Sequence, residues 1–148
     1  MKNFFFAFFL CFSTFVKADT LDYWQVDYYS ILDKIEVARF SVLDNERDII
    51  LKINNFNNLN IAYDYLTVNY YSDTPCMECE SYIFVENTRE QVITKGKQVG
   101  TSKPIKILMG DIIKYYRSTK NKYYDFFYIK KSPYGKVVKT LLFRLKLK

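Results

Sequence analysis

The stretch LLFRLKLK, residues 141–148, decides the fold class. In an extended backbone Leu141, Phe143, Leu145 and Leu147 fall on one side, and Leu142, Arg144, Lys146 and Lys148 on the other. A period of two is the signature of a half-buried strand, whereas a helix would spread these leucines around its axis. The Arg144, Lys146 and Lys148 series then reads as one solvated strand face.

The same period recurs upstream. Trp24, Val26 and Tyr28 alternate with polar neighbours, and Ile49, Leu51 and Ile53 form a second row. Leu66, Val68 and Tyr70 make a third, Tyr82 and Phe84 a fourth, and Tyr124, Phe126 and Tyr128 a fifth. Between them lies turn chemistry: Asp44-Asn45-Glu46, the Asn-rich run 54–58, Asp73-Thr74-Pro75, Lys95-Gly96-Lys97 and Ser132-Pro133-Tyr134-Gly135. Residues 30–40 fit a short helix or a return strand, and a strand over 34–40 is the preferred reading. Residues 110–117 predict a short helix with Asp111 near its positive end and Leu108, Ile112 and Tyr115 toward the core. The expected architecture is a single antiparallel β-sandwich of seven to nine strands, Ig-like or jelly-roll-like, with one short helix in a crossover.

Residues 1–18 read differently. A basic lead, Met1-Lys2-Asn3, precedes an apolar run at 4–16 with seven phenylalanines, and Val16 and Ala18 occupy the −3 and −1 positions of a cleavage site. This is the form of a secretory signal peptide. The run is shorter than the roughly 20 residues that span a bilayer. Lipid attachment at Cys11 is the competing reading, but the bulky Leu10 before it disfavours that. The expectation is therefore cleavage near Ala18 and export to the periplasm, the cell surface or the medium. The domain would be residues 19–148, without a stable membrane anchor. Losing Lys2 and Lys17 leaves 20 basic against 16 acidic residues, a net charge of +4. Those charges are interleaved rather than clustered, so no nucleic-acid partner is expected.

The chemistry that remains is sparse. With no histidine in the chain, Ser/His/Asp and Cys/His catalysis are excluded. The four glycines form no phosphate-cradling loop. Two acidic sets, Asp44/Glu46/Asp48 and Asp73/Glu78/Glu80, have the residue types of a glycosidase pair or a calcium turn but the setting of solvated loops. Cys76 and Cys79 are the only cysteines after residue 18. A thiol oxidoreductase needs a helix after such a pair, but Glu80-Ser81-Tyr82-Ile83-Phe84-Val85 alternates as a strand. Haem attachment needs a histidine at position 80, and a zinc site needs more ligands. Met77 adds a soft ligand that suits Cu(I). In an oxidising compartment a close pair forms a disulfide, and that structural role is the expectation, with no cofactor.

Fourteen tyrosines complete the picture, eight of them in the adjacent pairs 28–29, 70–71, 115–116 and 123–124. Neighbours in a strand face opposite ways, so Tyr29, Tyr71 and Tyr123 are the candidate outward residues for a glycan or protein partner. The competing reading is that tyrosine simply covers a sheet. The chain is expected to be an exported, non-enzymatic binding module. The alternative is a thiol-disulfide or soft-metal protein acting through Cys76 and Cys79.

Overall fold

A computed structural model of the chain describes residues 22–30, 34–41, 48–51, 63–101 and 103–147, with only the backbone placed at 35 and 48–51. The expected signal segment 1–18, the turn at Asp44 and Glu46 and the Asn-rich run lie outside the described residues, as does the side chain of Asp48.

Among the described residues the chain forms nine strands and one helix. In order they are β1 Tyr23–Tyr29, β2 Lys34–Ser41, β3 Asp48–Leu51, β4 Tyr65–Tyr71, β5 Glu80–Asn87, β6 Val92–Val99, β7 Ile105–Leu108, α1 Met109–Thr119, β8 Tyr123–Lys131 and β9 Val137–Leu147. They build a β-sandwich: a four-stranded sheet β2-β1-β4-β7 and a five-stranded sheet β3-β9-β8-β5-β6. The first order is not the A-B-E-D order of the immunoglobulin fold. The expectation of wholly antiparallel pairing needs one correction, because β3 runs parallel to residues 144–147 of β9. β3 follows β2, which lies in the opposite sheet, so it joins the edge of the five-stranded sheet by a crossover instead of a hairpin.

Alternation fixes which side chains meet between the sheets. Trp24, Val26, Leu66 and Val68 are buried against Ile83, Val85, Phe126 and Phe143. Phe126 and Phe143, opposite each other on β8 and β9, stack with ring centroids 4.4 Å apart. Burying each such side chain stabilises by about 1.5–3 kcal/mol relative to exposure. The opening stretch keeps its period from Phe143 to Leu147, all inward. One step earlier the register with β8 slips: Phe126 faces Phe143, but Phe127 faces Leu141. This bulge at Leu142 reverses the parity, turning Leu142 in and leaving Leu141 41% exposed, so Leu141 does not share the inner face.

Lys95-Gly96-Lys97 is not a turn but the middle of β6. A Cβ on Gly96 would stand 2.6 Å from the Lys106 carbonyl oxygen and 2.6 Å from Ile105 Cγ2. The glycine is therefore a point of close backbone approach, where β6 of one sheet meets β7 of the other.

The helix begins one residue earlier than expected. Met109, Ile112, Ile113 and Tyr116 form its inward stripe. Asp111 in the first turn and Arg117 in the last suit the helix dipole. Lys120 ends it in the left-handed conformation, with its N–H on the Tyr116 carbonyl at 2.7 Å. Leu108 ends β7 on the outward parity and is 47% exposed, correcting its expected place in the core.

Candidate functional site

The outer face of the four-stranded sheet carries two of the three expected tyrosines. Tyr29 and Tyr71 do share it, but at opposite ends, since Tyr29 pairs with Tyr65 and Tyr71 with Tyr23. Six residue steps separate the two pairs, about 20 Å of strand. Each pair stacks: Tyr23 on Tyr71 at 4.5 Å and Tyr29 on Tyr65 at 4.8 Å. Three of the four rings also meet a cation, while Tyr71 is 43% exposed. Arg39 lies 5.4 Å from the Tyr23 ring, Lys34 5.5 Å from Tyr29 and Lys106 3.8 Å from Tyr65. One row thus runs cation, ring, ring, cation across all four strands.

Between the two aromatic pairs lies a buried polar row. The Asp27 side chain is only 2% exposed and pairs with the Lys34 ammonium at 3.2 Å. Gln25 Nε2 donates to both Asp27 carboxylate oxygens, at 3.0 and 3.1 Å. Arg39 donates in turn to Gln25 Oε1 at 3.0 Å. Gln25 and Asp27 occupy the outward positions that alternation assigns to solvent. They are buried because neighbouring long side chains fold over them and satisfy every polar atom they carry.

The third expected residue, Tyr123, is on the other sheet. It helps to line an open groove of about 580 Å³ on the outer face of the five-stranded sheet. Phe127 lies four residues along the same strand. Glu86 and Asp125 stand directly opposite each other on β5 and β8. Like charges so placed repel unless each is compensated. Here Lys139 Nζ holds Glu86 at 2.8 Å. Arg144 grips Asp125 with two bonds, Nε at 2.7 Å and Nη2 at 3.1 Å, the bidentate geometry that fixes both side chains. Lys139 also sits 4.1 Å from the Phe127 ring centroid, and Lys146 5.3 Å from that of Tyr123.

The rim of the groove is the β5–β6 hairpin, with Asn87, Thr88 and Glu90. Asn87 shapes it: its side-chain carbonyl accepts from the backbone N–H of Arg89 and of Gln91, an Asx-type turn that places Glu90 at a φ of 59°. Its amide donates to Gln91 and to the Tyr115 hydroxyl, tying the hairpin to α1.

Sequence reading named Tyr123 but missed Glu86, Asp125, Lys139, Arg144 and Phe127. Arg144 lies on a solvated strand face, as its alternation predicts, and there it is committed to Asp125. The only available signal was the opposite charge of residues on neighbouring strands, and that needs the register.

Of the acidic residues singled out in the sequence, Asp73 and Glu80 lie elsewhere. Glu80 is held by Lys97 at 2.8 Å, and that hydrogen bond, with a second from Tyr82, keeps its carboxyl below the usual range. Asp73 receives its backbone order from Asp22. Among the described residues no three His, Cys, Asp or Glu side chains are grouped to hold a metal ion.

Cys76 and Cys79 are joined in a disulfide. The bridge sits in the connection from β4 to β5, which carries the chain from one sheet to the other. Gly100 N–H donates to the Cys79 carbonyl, Thr101 N–H to that of Cys76, and Cys76 N–H to the Thr101 hydroxyl. The corner is thereby tied to the end of β6. Strand β5 starts directly after Cys79, whose side chain is buried. No known protein family matches the chain, and no curated protein does.

Proposed function

We propose that this chain is an exported, non-enzymatic binding module that holds a saccharide in the groove of the five-stranded sheet. The observation that carries the reading is the pairing inside the groove. Each floor carboxylate already has its own cation, and the rings of Tyr123 and Phe127 flank Asp125 along β8. A carboxylate beside a guanidinium offers an acceptor next to a donor, which matches adjacent hydroxyls that both donate and accept. The rings offer an apolar surface to the C–H face of a sugar. No unmatched cation lines the groove to demand an anion, and the volume lies within the ordinary range for small-ligand sites.

The non-enzymatic reading rests on the same pairing. A glycosidase uses two carboxylates in opposite protonation states. Glu86 and Asp125 are each committed to a cation, Lys139 and Arg144, and in this reading both are fixed parts of the groove floor. Export rests on the tripartite pattern of residues 1–18 and fits the joined cysteines.

The test is a panel of neutral, anionic and amino saccharides read by calorimetry. The expected result is saturable binding of one or more neutral saccharides that drops at least tenfold in Tyr123→Ala. Binding that survives Tyr123→Ala unchanged, or capture of a protein partner with no saccharide bound, would overturn this reading.

A further inference from the structure

A second cavity lies between the sheets, at the end where β2 and β9 part. It has a volume of about 220 Å³ and is lined by the rings of Trp24, Phe40, Tyr70 and Tyr128, with Leu142 and Lys130. The aromatic cluster that walls it is rigid. Trp24 stacks on Tyr70 at 4.5 Å and meets Tyr128 edge-on at 4.6 Å. The wall's hydroxyls are already used. Tyr70 donates to Asp22, and Tyr128 shares a 2.9 Å bond with Ser81. Burial pushes the Tyr128 phenol up and that of Tyr70 to about 12, so both stay neutral. The slot thus presents a largely apolar interior, with the hydroxyls of Ser41 and Thr140 as its other uncharged polar groups.

Lys130 is the exception, and its position is unusual. Tyr124, Phe126 and Tyr128 are the inward residues of β8, and the next inward position is Lys130. Its neighbours in register are Ser81, buried between the sheets, and Val138 at the mouth of the slot. Among the described residues no carboxylate pairs with Lys130. An inward cation at the mouth of an apolar slot is suited to receive a carboxylate.

We infer that the slot binds a small monocarboxylate with a single apolar tail, the tail lying among the rings and the carboxylate on Lys130. Size sets the tail length. At the roughly 30 Å³ that one water occupies in the liquid, the cavity holds about seven non-hydrogen atoms. A seven-carbon tail, as in octanoate, fills it and leaves the carboxylate at the mouth. The site is separate from the groove, so either reading stands without the other.

Trp24 is the only tryptophan of the chain, and it lines the slot, so its fluorescence reports occupancy directly. Octanoate, octanol and acetate are titrated against the full chain, below the concentration at which octanoate aggregates. The expected result is a saturable fluorescence change with octanoate, at least fivefold weaker binding of octanol, and no response to acetate. Lys130→Met is expected to abolish the preference for octanoate over octanol. Val138→Phe narrows the mouth at an exposed position and is expected to weaken both ligands. Equal affinity for octanoate and octanol in the unmodified chain, a preference that persists in Lys130→Met, or no saturable response at all would overturn the inference.

Discussion

The two outer faces of the sandwich carry the same kinds of residue, tyrosines with lysines and arginines, and dispose of them in opposite ways. On the four-stranded sheet each outward tyrosine stands opposite another tyrosine, Tyr23 facing Tyr71 and Tyr29 facing Tyr65. The rings close on each other, and cations meet three of the four, so most of their faces are spent on holding strands together. On the five-stranded sheet Tyr123 stands opposite Lys146, and Phe127 lies between Leu141 of β9 and Phe84 of β5. Tyr82 meets Phe84 edge-on on the same face at 6.3 Å, but among the described residues no ring stacks on Tyr123 or Phe127, and both line the groove. Register, not composition, decides whether an aromatic residue on a sheet is a brace or a surface.

The comparison presumes that both faces are the backs of one core, joined at the β6–β7 seam. Gly96→Val puts branched carbon against the Lys106 carbonyl, and the expected loss is about 3 kcal/mol, the upper end of ordinary overpacking. Urea melts followed by tyrosine and tryptophan signals should show both faces lost in one transition; separate transitions would mean that the faces are independent.

Asp27→Ala comes next. It removes the acceptor of a buried amide, and the expected cost is about 2 kcal/mol. Asp125→Ala on the other face breaks a pair that solvent reaches, with an expected cost of about 0.5–1 kcal/mol. Equal losses in thermal melts would erase the distinction between brace and groove. Replacing Cys76 and Cys79 together by Ser should lower stability by about 2 kcal/mol, because the closed loop is short. That change loosens the corner between the sheets, so saccharide affinity should hold; its loss would favour a role for the cysteines in the site. Smaller still is Tyr65→Ala, with about 1 kcal/mol of stability lost as a stacked pair and a cation contact go.

At neutral pH the buried phenols have no effect, and the prediction concerns alkali alone. Burial raises Tyr28, Tyr124 and Tyr128 together with Tyr70, and for Tyr28 the hydrogen bond to Asp64 adds to it. A phenol whose folded pKa is raised contributes stability that is complete below its unfolded value near 10. That contribution is lost as pH rises through the folded value, about 12 for Tyr70. Stability should stay level to about pH 10 and fall between about 10 and 12. Decline that begins near pH 8 would contradict the neutral, buried state of these four.

Local pattern carried the strands whose inner and outer residues differ in polarity. β1, β4, β5, β8 and β9 follow from alternation, and α1 follows from its apolar stripe. β6 escaped because its sequence, Val-Ile-Thr-Lys-Gly-Lys-Gln-Val, is polar at an edge and holds a glycine that signals a turn. In place, that glycine marks contact between sheets, which no local pattern encodes. β7 is only four residues long. The groove was still less accessible to sequence reading. Glu86 and Asp125 are 39 positions apart, and Asp125 and Arg144 19 apart. Only the strand register makes them neighbours. The bulge at Leu142, which sets Leu141 outward, is likewise a product of pairing.

The central claim is that the groove, and not the tyrosine ladder, is the binding surface. Calorimetric titration of the tightest neutral saccharide from the panel against the unmodified chain, Asp125→Asn and Tyr65→Ala tests it most directly. The account predicts at least a tenfold loss of affinity in Asp125→Asn, because Arg144 keeps its place but loses its charged partner. It predicts an affinity within twofold of the unmodified chain in Tyr65→Ala, even though that variant is the less stable of the two. Binding lost in Tyr65→Ala and retained in Asp125→Asn would contradict it and move the site to the other face of the molecule.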